Sequence, residues 1–547
     1  MDLCGNEFVV PEMTAHLLQL GADATLRTRK QISALHELCS NNALPSARLL
    51  LHAKAEVNAM CSKGMTPLHC LCGTVGWIVC RDGVTNIQEL LGARADATLV
   101  DTEGRTPSEV LCSQFYKRDE LVLHGFHGPL CPEPLDAALK PLLLEEARNL
   151  TGCNFEKKIN WFRGVLECIL MYAPIADEYE ALPLLQVDRK QVLQSICQQH
   201  DRLTPHMEDV MFGQETGQGA GLVKDLFSVF SSELSKEDYN LFVTTDSDPP
   251  RLAMSSRPCF NELRSSYYKL VGKMMSLALL KEQHLPVRFA KPLLKELLGL
   301  ELCPEDLAQV DEALYKRLNQ LRDLDAEVIR QLDLDFSVDE VHFGKRRRVS
   351  LTWNGEKMPV TKSNVDIYAN LYAAYRLRSN EDDLSSLKSG FYFFIPQALI
   401  LAASTCLKVE DFDSLLFGND EIDVQDWKRS TKYDGPGAAE RTKVVKWFWD
   451  AVAAMSNRDR RLLLRFVTGQ SSSPIGGFKH LKSQDMSMPF TIVLKSKPED
   501  RKLRTFYPTA ATCSNLLQLP RYKSEADLKK YLAHVIQEEM MTFAELE

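Results

Sequence analysis

Apolar positions in the first 115 residues follow a pattern that recurs. Leu17-Leu18 leads into Gly21-Ala22-Asp23-Ala24-Thr25, Leu50-Leu51 into Lys54-Ala55-Glu56-Val57-Asn58, and Leu90-Leu91 into Arg94-Ala95-Asp96-Ala97-Thr98. The first two copies stand 33 residues apart and the next two 40. A second marker keeps step: Ser33-Ala-Leu35-His36, then Thr66-Pro67-Leu68-His69, then Thr106-Pro107. Thr-Pro opens a helix, because proline at the first helical position gives up an N–H that has no partner inside the helix. Leu-Leu closes a second helix, and the Gly-Ala-Asp run turns the chain into the next copy. The longer second step predicts a loop insertion within Gly73 to Val84. Leu135 to Leu150 and Ile159 to Tyr172 carry apolar residues at helical spacing, punctuated by Pro132, Pro134, Pro174 and Pro183. They predict a helical connector over 116–189 that packs on the large C-terminal region. From about residue 190 the pattern becomes mixed α/β. Within it, Tyr267 to Leu279 has the spacing of a buried helix, and Val349 to Trp353 reads as a strand.

A unit of this length cannot bury its apolar face alone, so neighbouring copies must stack. The 33-residue period with Thr-Pro-Leu-His resembles the ankyrin repeat. That resemblance implies a helical solenoid that docks a substrate or partner on its concave face. The alternative is a spacer that solubilises or caps the rest of the chain. Three copies are near the minimum, and the first begins almost at Met1. Its outer face is therefore left to a preceding stretch or to the helical connector.

The length of 547 residues predicts two to four domains. A net charge of −9 argues against general nucleic-acid binding. No apolar run reaches a membrane span; Phe391 to Ala403 comes nearest and contains Pro396 and Gln397. The start shows no basic-then-apolar signal. The 15 scattered cysteines then read as reduced thiols, which predicts the cytoplasm, with the nucleus as a second compartment. His69, Cys70, Cys72 and Cys80 are too tightly spaced for zinc and read as helix-buried side chains, so no metal is expected. Lys345 to Arg348 is either a targeting signal or the solvated end of a β-hairpin. Gly217, Gly219 and Gly221 lack the spacing of a dinucleotide fingerprint.

Cys513 differs from most of the other cysteines. It sits in a small, polar stretch, Thr509 to Asn515, between apolar runs, flanked by Thr512, Ser514 and Asn515. A loop thiol with hydrogen-bonding neighbours is a candidate nucleophile, because the thiolate is the reactive form. Thr512-Cys513-x-Asn515-x-Leu517-x-Leu519-Pro520-x-Tyr522 resembles the active-site loop of HECT-type ubiquitin ligases. Further matches lie in the same order. They are Met211-Phe212-Gly213 to Phe227, Tyr267 to Leu279, Glu305 to Tyr315, Val360-Thr361 to Tyr368, Gly390-Phe391, Asp426-Trp427, Trp447-Phe448-Trp449 and Phe466 to Gly469 with Gly477-Phe478.

The resemblance spans roughly residues 190–547. It implies a multidomain chain, an α-helical ankyrin repeat solenoid (1–115) and a connector (116–189) followed by a bilobal α+β HECT domain. The N-lobe would be 190–432, the hinge 433–438 and the C-lobe 439–547. Asp434, Gly435, Pro436 and Gly437 would make the joint, since glycines around a proline structure weakly. Ubiquitin and a ubiquitin-conjugating enzyme would be the partners, with no cofactor. Cys513 would carry the glycyl thioester, helped by Thr512 and Asn515, and Phe543 near the chain end would position transfer to lysine. Leu384, Leu387 and Tyr392 would line the conjugating-enzyme groove or belong to ordinary core. Two positions depart from the family: Ala511 stands where it usually has histidine, and Ser471-Ser472-Ser473 where it often has an arginine. These favour the alternative of a weak or inactive ligase-like scaffold. A cysteine hydrolase would need a histidine fixed beside the thiol, and the sequence around Cys513 offers none.

Overall fold

The structure is a computed structural model. It describes residues 11–74, 81–116, 129–172, 184–205, 210–213, 221–247, 250–256, 262–342, 345–378, 380–419, 421–434, 443–474, 476–481, 489–494 and 507–544. The chain forms two compact units: Met1–Leu182 with Phe391–Lys408, and Pro183–Gly390 with Val409–Glu547.

The first unit begins with short helices, Pro11–Gln19, Ala34–Ser40, Leu44–His52, Pro67–Cys72, Arg81–Gly92 and Pro107–Tyr116. The sequence marker explains their starts. Ser33 accepts a hydrogen bond from His36 N, and Thr66 does the same for His69 N. Each histidine then bridges two copies. Ser33 N donates to His36 Nδ1 (3.2 Å), and His36 Nε2 lies 3.0 Å from Met65 O in the next copy. His69 repeats this with Thr66 N (3.1 Å) and Arg105 O (3.0 Å). An imidazole that accepts at Nδ1 and donates at Nε2 is neutral. Burial, which pushes both histidines below their usual value, favours that state. The third copy has Glu109 instead, which accepts from Thr106 N at 2.7 Å. The turns between copies recur as well. Gly21, Lys54 and Arg94 all have left-handed φ, at 85°, 64° and 69°. Ser62 N→Lys30 O (2.9 Å) and Thr102 N→Lys63 O (3.0 Å) tie successive loops together. Both ring nitrogens of His69 are thus committed to the fold, which agrees with its reading as a buried side chain. The insertion expected within Gly73 to Val84 falls largely outside the described residues.

The connector helices are Glu133–Asn149 and Phe155–Tyr172. The first buries Leu135, Ala138, Leu139, Leu142 and Leu143. Its main contact is the helix Gln397–Cys406, which comes from far along the chain. That helix is apolar on most sides, burying Ala398, Leu399, Ile400, Ala402, Ala403 and Cys406. The connector also closes its ends. Ala398 N donates to Asp136 Oδ1 (2.9 Å), and Lys158 Nζ donates to Cys406 O (2.6 Å). A carboxylate at a helix N-terminus and an ammonium at the C-terminus both suit the helix dipole. The sequence assigned 391–408 to the N-lobe; the structure folds it into the first unit. Glu146 sits buried between Ser108 Oγ (2.7 Å) and Trp161 Nε1 (2.8 Å), and desolvation pushes its carboxyl up to about 7.

In the second unit, β1 (Leu185–Val187) pairs in parallel with β2 (Val210–Phe212), and β3 (Phe242–Thr244) antiparallel with β4 (Leu252–Met254). The helix Arg264–Leu280 is buried from Tyr267 to Leu279 apart from the exposed Lys269. A separate small core gathers Leu307, Leu314, Leu318, Ile329, Phe336, Val360, Val365 and Tyr368. The hairpin β5 (Ser337–His342) and β6 (Lys345–Ser350) adjoins it. The basic run lies in β6, with Arg348 opposite Asp339 and Arg347 opposite Glu340. Opposite charges across a strand pair stabilise it, which favours the solvated hairpin. No single helix among the described residues is long and apolar enough to cross a membrane. The bent pair Glu381–Phe394 and Gln397–Cys406 passes that test together by length and composition only.

The last part is a four-stranded sheet in the order β7 (Lys432–Asp434), β8 (Thr491–Leu494), β10 (Leu516–Leu519), β9 (Thr509–Ala511). The helices Lys443–Ala454, Asn457–Thr468 and Glu525–Ala544 accompany it. One core runs from Ile422 to Ile536 around a fully buried Trp427. The Trp427 ring stacks on Phe478 at 5.0 Å and meets Trp449 and Phe490 edge-on.

Candidate active site

Register places the cysteine. Ala511 opposes Leu516, Ala510 opposes Leu517 and Thr509 opposes Gln518, so the chain must reverse within a few residues. It does so through a single 3₁₀ turn, Thr512–Ser514, followed by Asn515 at φ 52°. Asparagine tolerates this left-handed conformation better than most residues. Asn515 is fully buried, and its carbonyl accepts from Thr491 N of β8 (2.9 Å). The backbone of Cys513 is therefore fixed at the crest of a turn anchored to two strands, and the helix Asn457–Thr468 packs against that turn. Thr512, Cys513 and Asn515 share this turn. Phe543 lies in the last turn of the helix Glu525–Ala544. Of the two histidines beyond residue 438, His534 packs on the Tyr507 ring (5.1 Å) and His480 lies against Gly476.

The joint differs from the sequence reading. Asp434 ends β7, which pairs with β8, and Ile422 and Trp427 already belong to the final core. That core is entered near Gly418 and Asn419 instead. Gly435, Pro436 and Gly437 lie outside the described residues. Gly418 has φ 71°, and its carbonyl accepts from Arg288 Nη2 (2.6 Å). Arg288 also pairs with Asp413, whose carboxylate takes Arg251 through two bonds (2.6 and 3.1 Å). A buried carboxylate shared by two guanidiniums resists displacement, because removing one partner strands charge in a low dielectric. The joint thus leaves a rigid anchor.

Leu384, Leu387 and Tyr392 share the helix Glu381–Phe394. Leu387 is fully buried, and Leu384 and Tyr392 are half-buried. Gly390 shows why the helix sits so close to its neighbour: a Cβ there would lie 1.9 Å from Lys269 O. Leu387 is therefore core packing. Exposed apolar side chains occur instead around the small core, at Val328, Leu332, Trp353, Met358 and Ile367. Trp353 is 86% exposed. The sequence reading missed this group. Its signal was a tryptophan beside Asn354-Gly355, where a turn holds the ring outward; Asn354 has φ 55°.

A model of the HECT-domain (ubiquitin-transferase) family matches residues 228–545. The chain belongs to that family. E3 ubiquitin-protein ligase HACE1 of Danio rerio is 30% identical over 436 residues, covering 78% of this chain and 46% of its own length. Its Gallus gallus counterpart is 31% identical over 427 residues, covering 76% and 43%. E3 ubiquitin-protein ligase pub3 of Schizosaccharomyces pombe is 31% identical over 318 residues, covering 58% and 39%. The chain thus spans less than half the length of these relatives.

Proposed function

We propose that the chain is a ubiquitin ligase that receives ubiquitin on Cys513 and passes it to a lysine. The observation that carries this is the turn holding Cys513 between β9 and β10, inside the family-matched residues. The Cys513 thiolate attacks the thioester carbonyl that joins ubiquitin to the conjugating enzyme. The new C–S bond forms as the old one breaks, and the enzyme's thiolate leaves. A lysine amine then attacks the Cys513 thioester, forms the isopeptide bond, sheds a proton and returns the Cys513 thiolate. Thioester exchange is nearly isoenergetic, so it needs positioning more than a strong acid or base. Neither step calls for a cofactor. The fixed backbone at residues 512–515 supplies that positioning, and Phe543 orients the second step.

The conjugating enzyme docks around the small core, where Val328, Leu332, Trp353, Met358 and Ile367 are exposed. Exposed apolar groups of this kind mark protein interaction sites, whereas Leu387 is inaccessible. The first unit is an ankyrin stack that docks substrate or partner. Its support is the repeated histidine bridge, the recurring left-handed turn and the loop-to-loop bonds. The ligase works in the cytoplasm, or in the nucleus.

A second reading, a weak or inactive scaffold, is favoured by Ala511. An imidazolium beside a thiol promotes the thiolate, and Ala511 supplies none. One experiment decides between them. The purified chain is mixed with activating enzyme, a panel of conjugating enzymes, ATP and labelled ubiquitin. A thiol-reducible adduct that is absent in Cys513→Ala establishes the covalent route. No adduct from well-folded protein, with any conjugating enzyme, selects the scaffold.

A further inference from the structure

The serine run that departs from the family is packed into the joint. Ser472 and Ser473 are only 3% and 4% exposed. Ser472 Oγ lies 3.0 Å from His284 Nδ1. Asn419 N donates to Ser473 O (3.2 Å), so the run also pairs with the strand of chain leaving Gly418. Nearby, Gln470 Nε2 donates to Gln283 Oε1 (3.2 Å) and Arg465 Nη2 to Ser228 Oγ (3.3 Å). These bonds join the Ile422–Ile536 core to elements that lie earlier in the same unit.

Size matters here as much as polarity. A Cβ on Gly418 would lie 2.3 Å from Ser472 Oγ and 2.7 Å from His284 Nδ1. Glycine at 418 and a short side chain at 472 are what let His284 close on the run. An arginine in this run, as the family often has, would have to give up the Ser472–His284 contact. The departure and the closure are thus one feature.

We propose that Gly418, Ser472 and His284 form a latch that sets the balance between loading of Cys513 and its discharge. The latch rests on the ligase reading above. The thiol must meet a donor and an acceptor at different places, so the core carrying it must reorient each cycle. A contact made in one orientation only biases the population toward that orientation. It must favour one step and oppose the other.

The test compares wild type with Ser472→Arg, Ser472→Ala and His284→Ala. Single-turnover loading and lysine discharge are timed separately. Amide hydrogen exchange is followed over residues 283–285 and 469–473. The expected result is faster exchange in both segments, with loading and discharge moving in opposite directions. The ratio of the two rates should shift by at least about fivefold in Ser472→Arg, and by less in the two alanine variants. Unchanged exchange in every variant overturns the latch. So does faster exchange with both rates falling together, which marks a merely structural contact. If wild type and variants all fail to load, the ligase reading falls, and with it the proposed balance; exchange alone then reports whether the contact closes.

Discussion

The repeat copies of the first unit and the sheet of the second unit reach order in opposite ways. In the repeats, these contacts reach no further than the next copy and are made again there. His36 and His69 hold their own helix start and the following loop with the same four-atom geometry. In the sheet, nothing repeats. β7 and β10 meet on β8, and one tryptophan joins their common core. Damage should therefore stay local and partial in the first region, and spread through the second.

The sharpest way to break the contrast is Trp427→Ala. Truncating a fully buried ring of that size costs about 3–5 kcal/mol. The same core positions the Cys513 turn, so the reducible ubiquitin adduct should disappear together with the loss in chemical denaturation.

Glu146→Gln comes next and acts through pH. The folded carboxyl titrates at about 7, above its ordinary value of 4.5. Between those two values the folded state holds the proton and the unfolded state releases it. The group's contribution is thus full below pH 4.5 and lost as pH rises through 7. Stability of the first unit should fall by up to about 3 kcal/mol between pH 5 and pH 8. The glutamine variant should flatten that slope in denaturation curves run at both pH values.

His69→Ala should cost about 1–3 kcal/mol, since buried partners on both ring nitrogens lose their bonds. His36→Ala should match it. Equal, additive losses by thermal melting would support the repeat reading; one dominant copy would count against it. The smallest effect on stability is expected from Trp353→Ala, within about 0.5 kcal/mol, because the ring is exposed. Adduct formation should nevertheless slow about tenfold if that region docks the conjugating enzyme, as hot-spot tryptophans do.

The same contrast explains what was legible in the sequence. The helix starts at Ser33, Thr66 and Thr106 and the buried helix after Arg264 are local patterns, so spacing alone shows them. The Cys513 turn was legible because a small, polar stretch there runs directly into the apolar strand β10. Asp434 was read as part of a joint because Tyr433 and Asp434 owe their strand to β8, almost sixty residues later. Nor does any local pattern mark Leu387 as core, since its burial depends on Gly390 admitting the backbone of another helix. The burial of Ser472 depends in turn on a glycine 54 residues upstream.

The helix Gln397–Cys406 has a consequence in time. The ribosome finishes Glu133–Asn149 long before it makes the partner that covers it. At about 5–20 residues per second, the apolar face of that connector waits on the order of ten seconds to a minute. The first unit cannot close until Phe391–Lys408 has been made, although most of its sequence comes earlier. A nascent chain in that interval presents a sticky helix to its surroundings, and chaperones acting on it would decide how much protein the cell obtains.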